Sequence, residues 1–488
     1  MSEVSGHKRK ALSSIKWVSF GRILPKIFAP ITTVLLVSVF VPSDYGIVGI
    51  CNAFINFITL LQGLGVDDYV IREQELTDNK VNTAFWINVA ASIGLCAILV
   101  LCAPLVARVY KEEQLRVYLP ALSLGLIVNS VGFVPSALLR KQLAFKKLFV
   151  INFAPLIISL SITFPLGYMK FGPWAIVAGS LTLTLLTNVY FLLQSRWRPR
   201  LLFEMAEVRR IVAFGKYVML TRVQEYLYAN LDVFLIGYFL DLRTLGIYGL
   251  AKSWAWLIFG MVTSPVAEIL YPAFQRFAND IQEMGRQFLE VEKRIFFVTV
   301  PTLLIISGFA TKTIELIFPG RWREAGLVLA FLIVGEGVSK GFSLQRDLFK
   351  LIGRPDIYPK AFLVNFCFTI LCYPVAAKIG LITFLLARVG NDILYTVIQY
   401  YLSKRILRFC GGDFYRLISS SALSSAVLLC SILVVNFCVL YKLVNLNLFT
   451  LAVSITFCTL TYIITHFLID RTSMAEYLGE GKIILGLR

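Results

Sequence analysis

Apolar runs long enough to cross a bilayer recur along the whole of this 488-residue chain. A helix needs about 18 or more mostly apolar residues to span a hydrocarbon core of ~30 Å. Fourteen such stretches can be marked, at roughly 17–40, 45–66, 82–107, 115–138, 148–169, 173–195, 211–240, 245–270, 294–312, 325–348, 360–378, 380–402, 417–440 and 448–469. The segments between them are short, and the longest is 271–293. With 58% hydrophobic and only 16% charged residues, the chain is far from the ~25% charge of a soluble domain. Lipid offers the backbone no hydrogen bonds, so stretches of this length must be helices. The predicted class is an all-α polytopic membrane protein with about 14 transmembrane helices.

Charge then sets the topology. The formal charge of +18 would suggest nucleic acid in a soluble protein. Here the basic residues sit between apolar spans, where they orient the chain and meet anionic lipid, so no nucleic acid is expected. Of the 47 Lys and Arg residues, thirty fall in segments on the side of the N-terminus, ten on the other side and seven within spans. That bias predicts a multi-pass protein of the cytoplasmic (inner) membrane with both termini cytoplasmic. No cleavable signal peptide is expected, since the apolar stretch after Lys16 is long and lacks a small-residue cleavage site.

The seventh span, Phe214 to Leu240, carries Lys216, Arg222, Glu225 and Asp232. Each such group costs roughly 2.5–3.5 kcal/mol at the centre of a lipid-facing helix. Arg222, Glu225, Ala229 and Asp232 are spaced by three, four and three, which places them on one helical stripe. That stripe must face protein or a water-filled cavity. An Arg222–Glu225 ion pair that only fixes helix register is the plainer alternative. Asp232 has no cation within reach on its own helix and is expected to stand unpaired near the midplane.

Other spans repeat the pattern. Arg22 and Lys26 are four apart in the first, next to Pro25 and Pro30, with snorkelling to the surface as the alternative. The tenth carries Glu336 and Lys340, four apart, with Asp347 on the same face; the twelfth carries Arg388 and Asp392, again four apart. Intrahelical salt bridges are the bland explanation for both pairs. With Lys252, the residues Arg22, Lys26, Lys216, Arg222, Lys340 and Arg388 form a predicted cationic pathway. Glu225, Asp232, Glu336 and Asp392 are the candidates for ion coupling, since a buried carboxylate can carry a proton.

An internal repeat is also legible. Phe20-Gly21-Arg22 opens the first span and Phe214-Gly215-Lys216 the seventh. Asp44-Tyr45-Gly46-Ile47-Val48-Gly49-Ile50 follows the first, and Thr244-Leu245-Gly246-Ile247-Tyr248-Gly249-Leu250 the seventh. Six spans separate the copies, so both lie in the same orientation, as halves related by a pseudo-two-fold axis along the membrane normal do. The expected organisation is a six-helix bundle over 1–200, a second over 201–410, and two further helices with a short tail over 411–488. Segment 272–292 is expected to be an amphipathic interfacial helix, because Phe274, Phe277, Ile281, Met284 and Phe288 fall at helical spacing. Pro272 is expected to stop the eighth span.

Catalytic chemistry has little support. No Gly-rich phosphate loop with a following Lys and Ser/Thr is present. The nine cysteines are scattered without a C-x-x-C, and His7 and His466 are far apart, so no metal or cofactor is expected. The chain reads as a transporter and not an enzyme.

Several motifs carry a likeness to a known family. The Phe-Gly-Arg opening, Pro42-Ser43-Asp44-Tyr45-Gly46, Leu64-Gly65-Val66, Phe214-Gly215-Lys216, Asn230-Leu231-Asp232 and Leu270-Tyr271-Pro272-Ala273-Phe274 resemble the Wzx-type polysaccharide flippases. These belong to the multidrug/oligosaccharidyl-lipid/polysaccharide exporter superfamily, and the likeness covers roughly residues 10–410. The resemblance implies two six-helix bundles around a central cavity, with extra C-terminal helices in some members. It implies flipping of an undecaprenyl-pyrophosphate-linked oligosaccharide for lipopolysaccharide, capsule or exopolysaccharide synthesis. The implied partners are that lipid-linked oligosaccharide and membrane lipid, with a polysaccharide polymerase and chain-length proteins as further candidates. Without nucleotide motifs, an ion gradient is the available drive. The alternatives are a cation-coupled multidrug exporter of the same superfamily and a non-transporting scaffold for envelope assembly. The exporter would want a net negative cavity, which the excess of basic residues within spans does not favour.

Overall fold

The structure is a computed structural model that describes residues 24, 26–63, 66–73, 76–142, 145–275, 281–340, 349, 352, 354, 357–407, 411–441 and 447–471. Among these residues it is helical, with no strand. The helices are α1 (Lys26–Val39), α2 (Pro42–Gly63), α3 (Val66–Arg72), α4 (Asp78–Tyr110), α5 (Leu115–Lys141), α6 (Phe145–Tyr168), α7 (Pro173–Ser195), α8 (Met205–Phe239) and α9 (Leu242–Gln275). They continue with α10 (Ile281–Ile317), α11 (Glu324–Lys340), α12 (Ile357–Ile379), α13 (Leu381–Leu407), α14 (Gly411–Leu440) and α15 (Leu448–Ile469). A single 3₁₀ turn, Gly320–Trp322, precedes α11. Each of the fourteen expected spans falls on one of these helices, with α3 as a short addition. Ten are long and apolar enough to cross a membrane by length and composition alone.

Two expected boundaries differ. Pro272 does not end the eighth span, because α9 runs through it to Gln275. A proline removes one ladder bond, and helices in a bundle can re-satisfy the freed carbonyl. The amphipathic segment does not form a separate interfacial helix either: Ile281 onward is the start of α10, continuous with the ninth span. Met284, Gly285, Phe288, Leu289 and Glu292 make its buried face. A Cβ on Gly285 would come 2.9 Å from the Leu407 carbonyl oxygen, so that face lies against the end of α13.

The chain divides into two compact units, Met1–Gly249 and Leu250–Arg488. In the first, α5 packs between α4 and α7, α6 lies on α7, and α8 lies on α2 and α4. Val66, Tyr69, Val70, Val81, Phe85, Val134 and Ile211 form one apolar cluster there, joined by Trp86 and Trp197. The segment before α8 is tied to the start of α4. The Arg200 backbone N–H donates to Asn82 Oδ1 at 2.6 Å, the Glu204 N–H to Thr83 Oγ1 at 3.0 Å, and Trp86 Nε1 to the Arg200 carbonyl at 2.8 Å.

In the second unit, α10 packs on α11 and α14, α11 on α13, α12 on α13, and α14 on α15. Ile305, Phe309, Leu428, Ile432, Cys458 and Tyr462 seal α10, α14 and α15 together. The outward sides of many helices stay apolar: Leu101 is 79% exposed, Leu371 71% and Phe449 76%. Such surfaces suit lipid and not water.

The repeated turns become two capped helix starts in the first unit. The Val41 N–H donates to Asp44 Oδ2 at 3.2 Å at the start of α2. At the start of α9, the Thr244 N–H and hydroxyl donate to the Asp241 carboxylate at 2.7 and 2.9 Å. The two starts cross in near contact. A Cβ on Gly46 would fall 1.8 Å from the Leu242 carbonyl oxygen, and one on Gly246 would fall 1.8 Å from that of Pro42. Each glycine meets the carbonyl four residues ahead of the other, so the crossing is locally two-fold symmetric.

Candidate functional site

The expected polar stripe of α8 does not behave as one surface. Asp232 is 2% exposed, Arg222 is half-buried, and Glu225 and Ala229 are exposed. The buried end is where α8 meets α2 and turns back into α9. Tyr226 donates its hydroxyl to the Ala53 carbonyl at 2.7 Å, and Phe234 lies edge-on to Phe54 at 5.2 Å. Glu225 makes no ion pair among the described residues, so the Arg222–Glu225 pair is not formed.

Asp232 is not the unpaired group expected from its own helix. Tyr248 of α9 donates its hydroxyl to Asp232 Oδ2 at 2.5 Å, and the Val233 N–H donates to Oδ1 at 2.8 Å. Asp232 and Tyr248 lie equally far on either side of Leu240, so the α8–α9 turn brings them face to face. Tyr248 itself is fully buried.

In the second unit, Arg388 Nη2 lies 3.2 Å from Glu336 Oε1, with the side chains 14% and 15% exposed. This pair joins α13 to α11, whereas sequence spacing points to intrahelical pairs. Asp392, 9% exposed, lies one turn further along α13. There a Cβ on Gly335 would come 2.6 Å from Asp392 Oδ2 and 3.3 Å from a methyl of Val389. The absence of a side chain at Gly335 lets α11 and α13 close around the acid. Lys26 and Lys252 are half-buried on α1 and α9. Arg22, Asp347 and the side chains of Lys216 and Lys340 lie outside the described residues.

Three polar features carry no obvious sequence signal. The first is at the α3–α4 end of the first unit. Glu207 of α8 is 3% exposed and accepts from the Tyr69 hydroxyl at 2.7 Å and from Arg210 Nη1 at 2.8 Å. Burial, then the bond to Glu207, pushes the Tyr69 phenol up. Nearby, Glu73 pairs with Lys80, and the Lys80 hydrogen bond holds the Glu73 carboxyl below its ordinary value. The second is Glu292 on the buried face of α10, 1% exposed, whose two carboxylate oxygens find no hydrogen-bond donor among the described residues.

The third is a cavity of about 450 Å³ within the first unit, between α2, α5, α6 and α7. Asn52, Asn56, Asn129, Asn152 and Asn188 line it together with serine, threonine and leucine, and among the described residues its lining contains no charged side chain. Lys26 and Arg222, the expected cationic residues described in this unit, are not part of its lining. Asparagines scattered over four helices share no spacing that a linear reading can detect.

The family model described as "Polysaccharide biosynthesis protein" matches residues 35–326, more than half of the chain. The chain belongs to that family. The Escherichia coli (strain K12) lipopolysaccharide biosynthesis protein WzxC is 25% identical over 401 residues, covering 79% of this chain and 80% of its own. The Bacillus subtilis (strain 168) teichuronic acid biosynthesis protein TuaB is 22% identical over 67% of this chain and 68% of its own. Among solved structures, the lipid II flippase MurJ in an inward closed conformation superposes with a TM-score of 0.67 at 13% identity, over 94% of this chain and 99% of its own. An inward-facing multidrug resistance MATE family transporter gives 0.59 at 14% identity, over 81% of this chain and 98% of its own. The chain thus shares the polytopic helical fold of these two structures, and the resemblance expected from the sequence motifs holds at the level of both family and fold.

Proposed function

We propose that this family member moves a lipid-linked oligosaccharide repeat unit from the cytoplasmic to the outer leaflet of the cytoplasmic membrane. The carrier is undecaprenyl pyrophosphate, and the product feeds lipopolysaccharide, capsule or exopolysaccharide synthesis. Relatives named for lipopolysaccharide and teichuronic acid biosynthesis support the substrate class. The observation that carries the reading furthest is the set of ionisable groups on spanning helices: Arg388 with Glu336, Asp392, Arg222 and Asp232. Charges at such depth are expensive in a purely structural role and belong to a polar path. Arg222, Arg388, Lys26 and Lys252 attract the pyrophosphate, together with Arg22, Lys216 and Lys340. Glu225, Asp232, Glu336 and Asp392 are the groups through which an ion gradient drives the cycle.

Both termini face the cytoplasm in this reading, with Asp44, Arg243 and Lys442 outside. The functional organisation is a bundle over 1–200, a second over 201–410 and two further helices beyond. A polysaccharide polymerase and chain-length proteins receive the flipped unit.

The test is transport of a fluorescent lipid-linked repeat unit in proteoliposomes by wild type, Arg222→Ala and Arg388→Ala. Reduced transport at normal protein level is expected for both variants, with partial rescue by Lys, which keeps the charge and loses the planar fork. Normal transport by both would remove the anion path and favour a scaffold whose charges are dispensable.

A further inference from the structure

The asparagine-lined cavity of the first unit has a chemistry of its own. It opens about 15 Å along α2 from its start, at Asn52, and about 21 Å along α5, at Asn129, well inside both spanning helices. Asn52 and Asn56 are exposed and Asn129 is half-buried, so amides at that depth are open to a hydrogen-bonding ligand. Asn152 and Asn188 spend one N–H each on the carbonyls of Leu148 and Thr184, both at 2.7 Å. The amides of Asn52, Asn56 and Asn129 make no hydrogen bond with protein among the described residues. Each therefore presents two donors and a carbonyl acceptor to the space it lines.

We propose that this cavity is a subsite for neutral sugar residues of the transported glycan, whose hydroxyl and acetamido groups are read by Asn52, Asn56 and Asn129. The inference rests on the flippase reading and says which part of the substrate is recognised where. A pyrophosphate would seek a cation, and none lines the cavity among the described residues. A cationic drug would seek a carboxylate, and the described lining holds none. A prenyl tail would leave every amide unpaired. A sugar ring answers both kinds of surface: its hydroxyls donate and accept in pairs, as an amide does, while its C–H face rests on Leu126 and Leu181. The volume falls in the ~300–1,000 Å³ range of small-molecule sites. Sites built to hydrogen-bond hydroxyls discriminate strongly against ligands that lack them. The cavity is thus the place where one glycan is told from another, while the charged groups hold the carrier common to all.

The experiment compares two probes on purified full-length protein: undecaprenyl pyrophosphate alone, and the same carrier bearing the repeat unit, extracted from source cells that lack their polysaccharide polymerase. Binding is read by native mass spectrometry for wild type and for the triple variant Asn52→Ala, Asn56→Ala, Asn129→Ala. The expected result is a loss of at least about tenfold in affinity for the glycan-bearing carrier, with the bare carrier unchanged within about twofold. Asn129→Gln, which keeps an amide, should retain more glycan affinity than Asn129→Ala. Should the triple variant fail to insert, Asn56→Ala at an exposed position gives the same comparison. If the variants bind both probes as wild type does, the sugar subsite is wrong and the flippase reading stands. If wild type binds neither probe, the flippase reading falls and takes the subsite with it.

Discussion

Gly46 rests on the backbone carbonyl of Leu242, with no room between them for a methyl group. Gly246 meets the carbonyl of Pro42 in the same way, so the two repeated sequence turns are also the two sides of one helix crossing. Small residues let helix backbones approach where lipid gives no hydrophobic drive for association. Gly46→Ala or Gly246→Ala should push α2 and α9 apart, because the obstacle is backbone and cannot rotate away. Overpacking of this kind costs about 1–3 kcal/mol or more. Thermal melting in detergent checks it, and Gly49→Ala serves as the control, since a Cβ there meets nothing within 4 Å. Equal melting of all three would show that the crossing opens freely.

The Arg388–Glu336 pair should behave as a buried pair does when one partner is removed. Arg388→Ala leaves the Glu336 carboxylate largely enclosed, which costs about 3–5 kcal/mol when burial is complete and less at 15% exposure. The double variant Arg388→Met, Glu336→Leu should recover much of that stability while transport stays low. Chemical denaturation and proteoliposome transport, measured on the same preparations, separate the two effects. If the double variant transports normally, the pair serves only to join α11 and α13.

Acid should weaken the α3–α4 end of the first unit. Glu73 pairs with Lys80, and its folded carboxyl lies below its ordinary value of 4.5. A depressed carboxyl contributes stability that is fully present above the unfolded value and fades as pH falls through the folded one. The difference in melting temperature between wild type and Glu73→Gln should therefore be constant from neutral pH down to the ordinary carboxyl range and shrink below it. A difference that grows on acidification would reverse the assignment.

Glu292 should be replaceable at a gain. Its carboxylate is buried on α10 without a hydrogen-bond donor among the described residues. Leaving a buried acceptor unsatisfied costs about 1–3 kcal/mol, and more if it is charged. Glu292→Gln and Glu292→Met should both melt higher than wild type. A lower melting temperature for both would reveal a structural bond that the carboxylate makes in the membrane.

Span positions were legible because hydrophobic length is a strong, local signal, and among the described residues each of the fourteen stretches carries a helix, even where Lys216, Arg222 and Asp232 interrupt it. The repeated turn was legible because Gly46-Ile47 and Gly246-Ile247 open the same Gly-Ile-x-Gly pattern at the same distance from the preceding helix. Pairing was not legible. Spacing joins Arg388 to Asp392 and Arg222 to Glu225, but Arg388 also pairs with Glu336 on another helix, and Glu225 takes no ion pair among the described residues. Periodicity along one helix cannot see a neighbour tens of residues away. The start of α10 misled for a related reason: an amphipathic face looks the same whether it meets a headgroup or, as with Gly285, the end of another helix. Charged residues drew attention to a pathway, while neutral asparagines from four helices left no trace until folding gathered them.

The most demanding prediction concerns Asp232. Its carboxylate is enclosed and accepts from Tyr248 at 2.5 Å and from the Val233 N–H at 2.8 Å, so it is a held group and not a stray charge. A held carboxylate between two helices can couple an ion to their separation, because the bonds it makes depend on its own protonation. Asp232→Asn keeps the shape, fixes the charge at zero and should remove the dependence of transport on a pH gradient. Tyr248→Phe deletes one donor and should cost about 1–3 kcal/mol of stability. Transport of the lipid-linked oligosaccharide is measured in proteoliposomes with equal and unequal pH across the membrane. If Asp232→Asn keeps full gradient-dependent transport, Asp232 only fastens α8 to α9. In that case Tyr248→Phe should lower stability and leave transport per folded molecule intact.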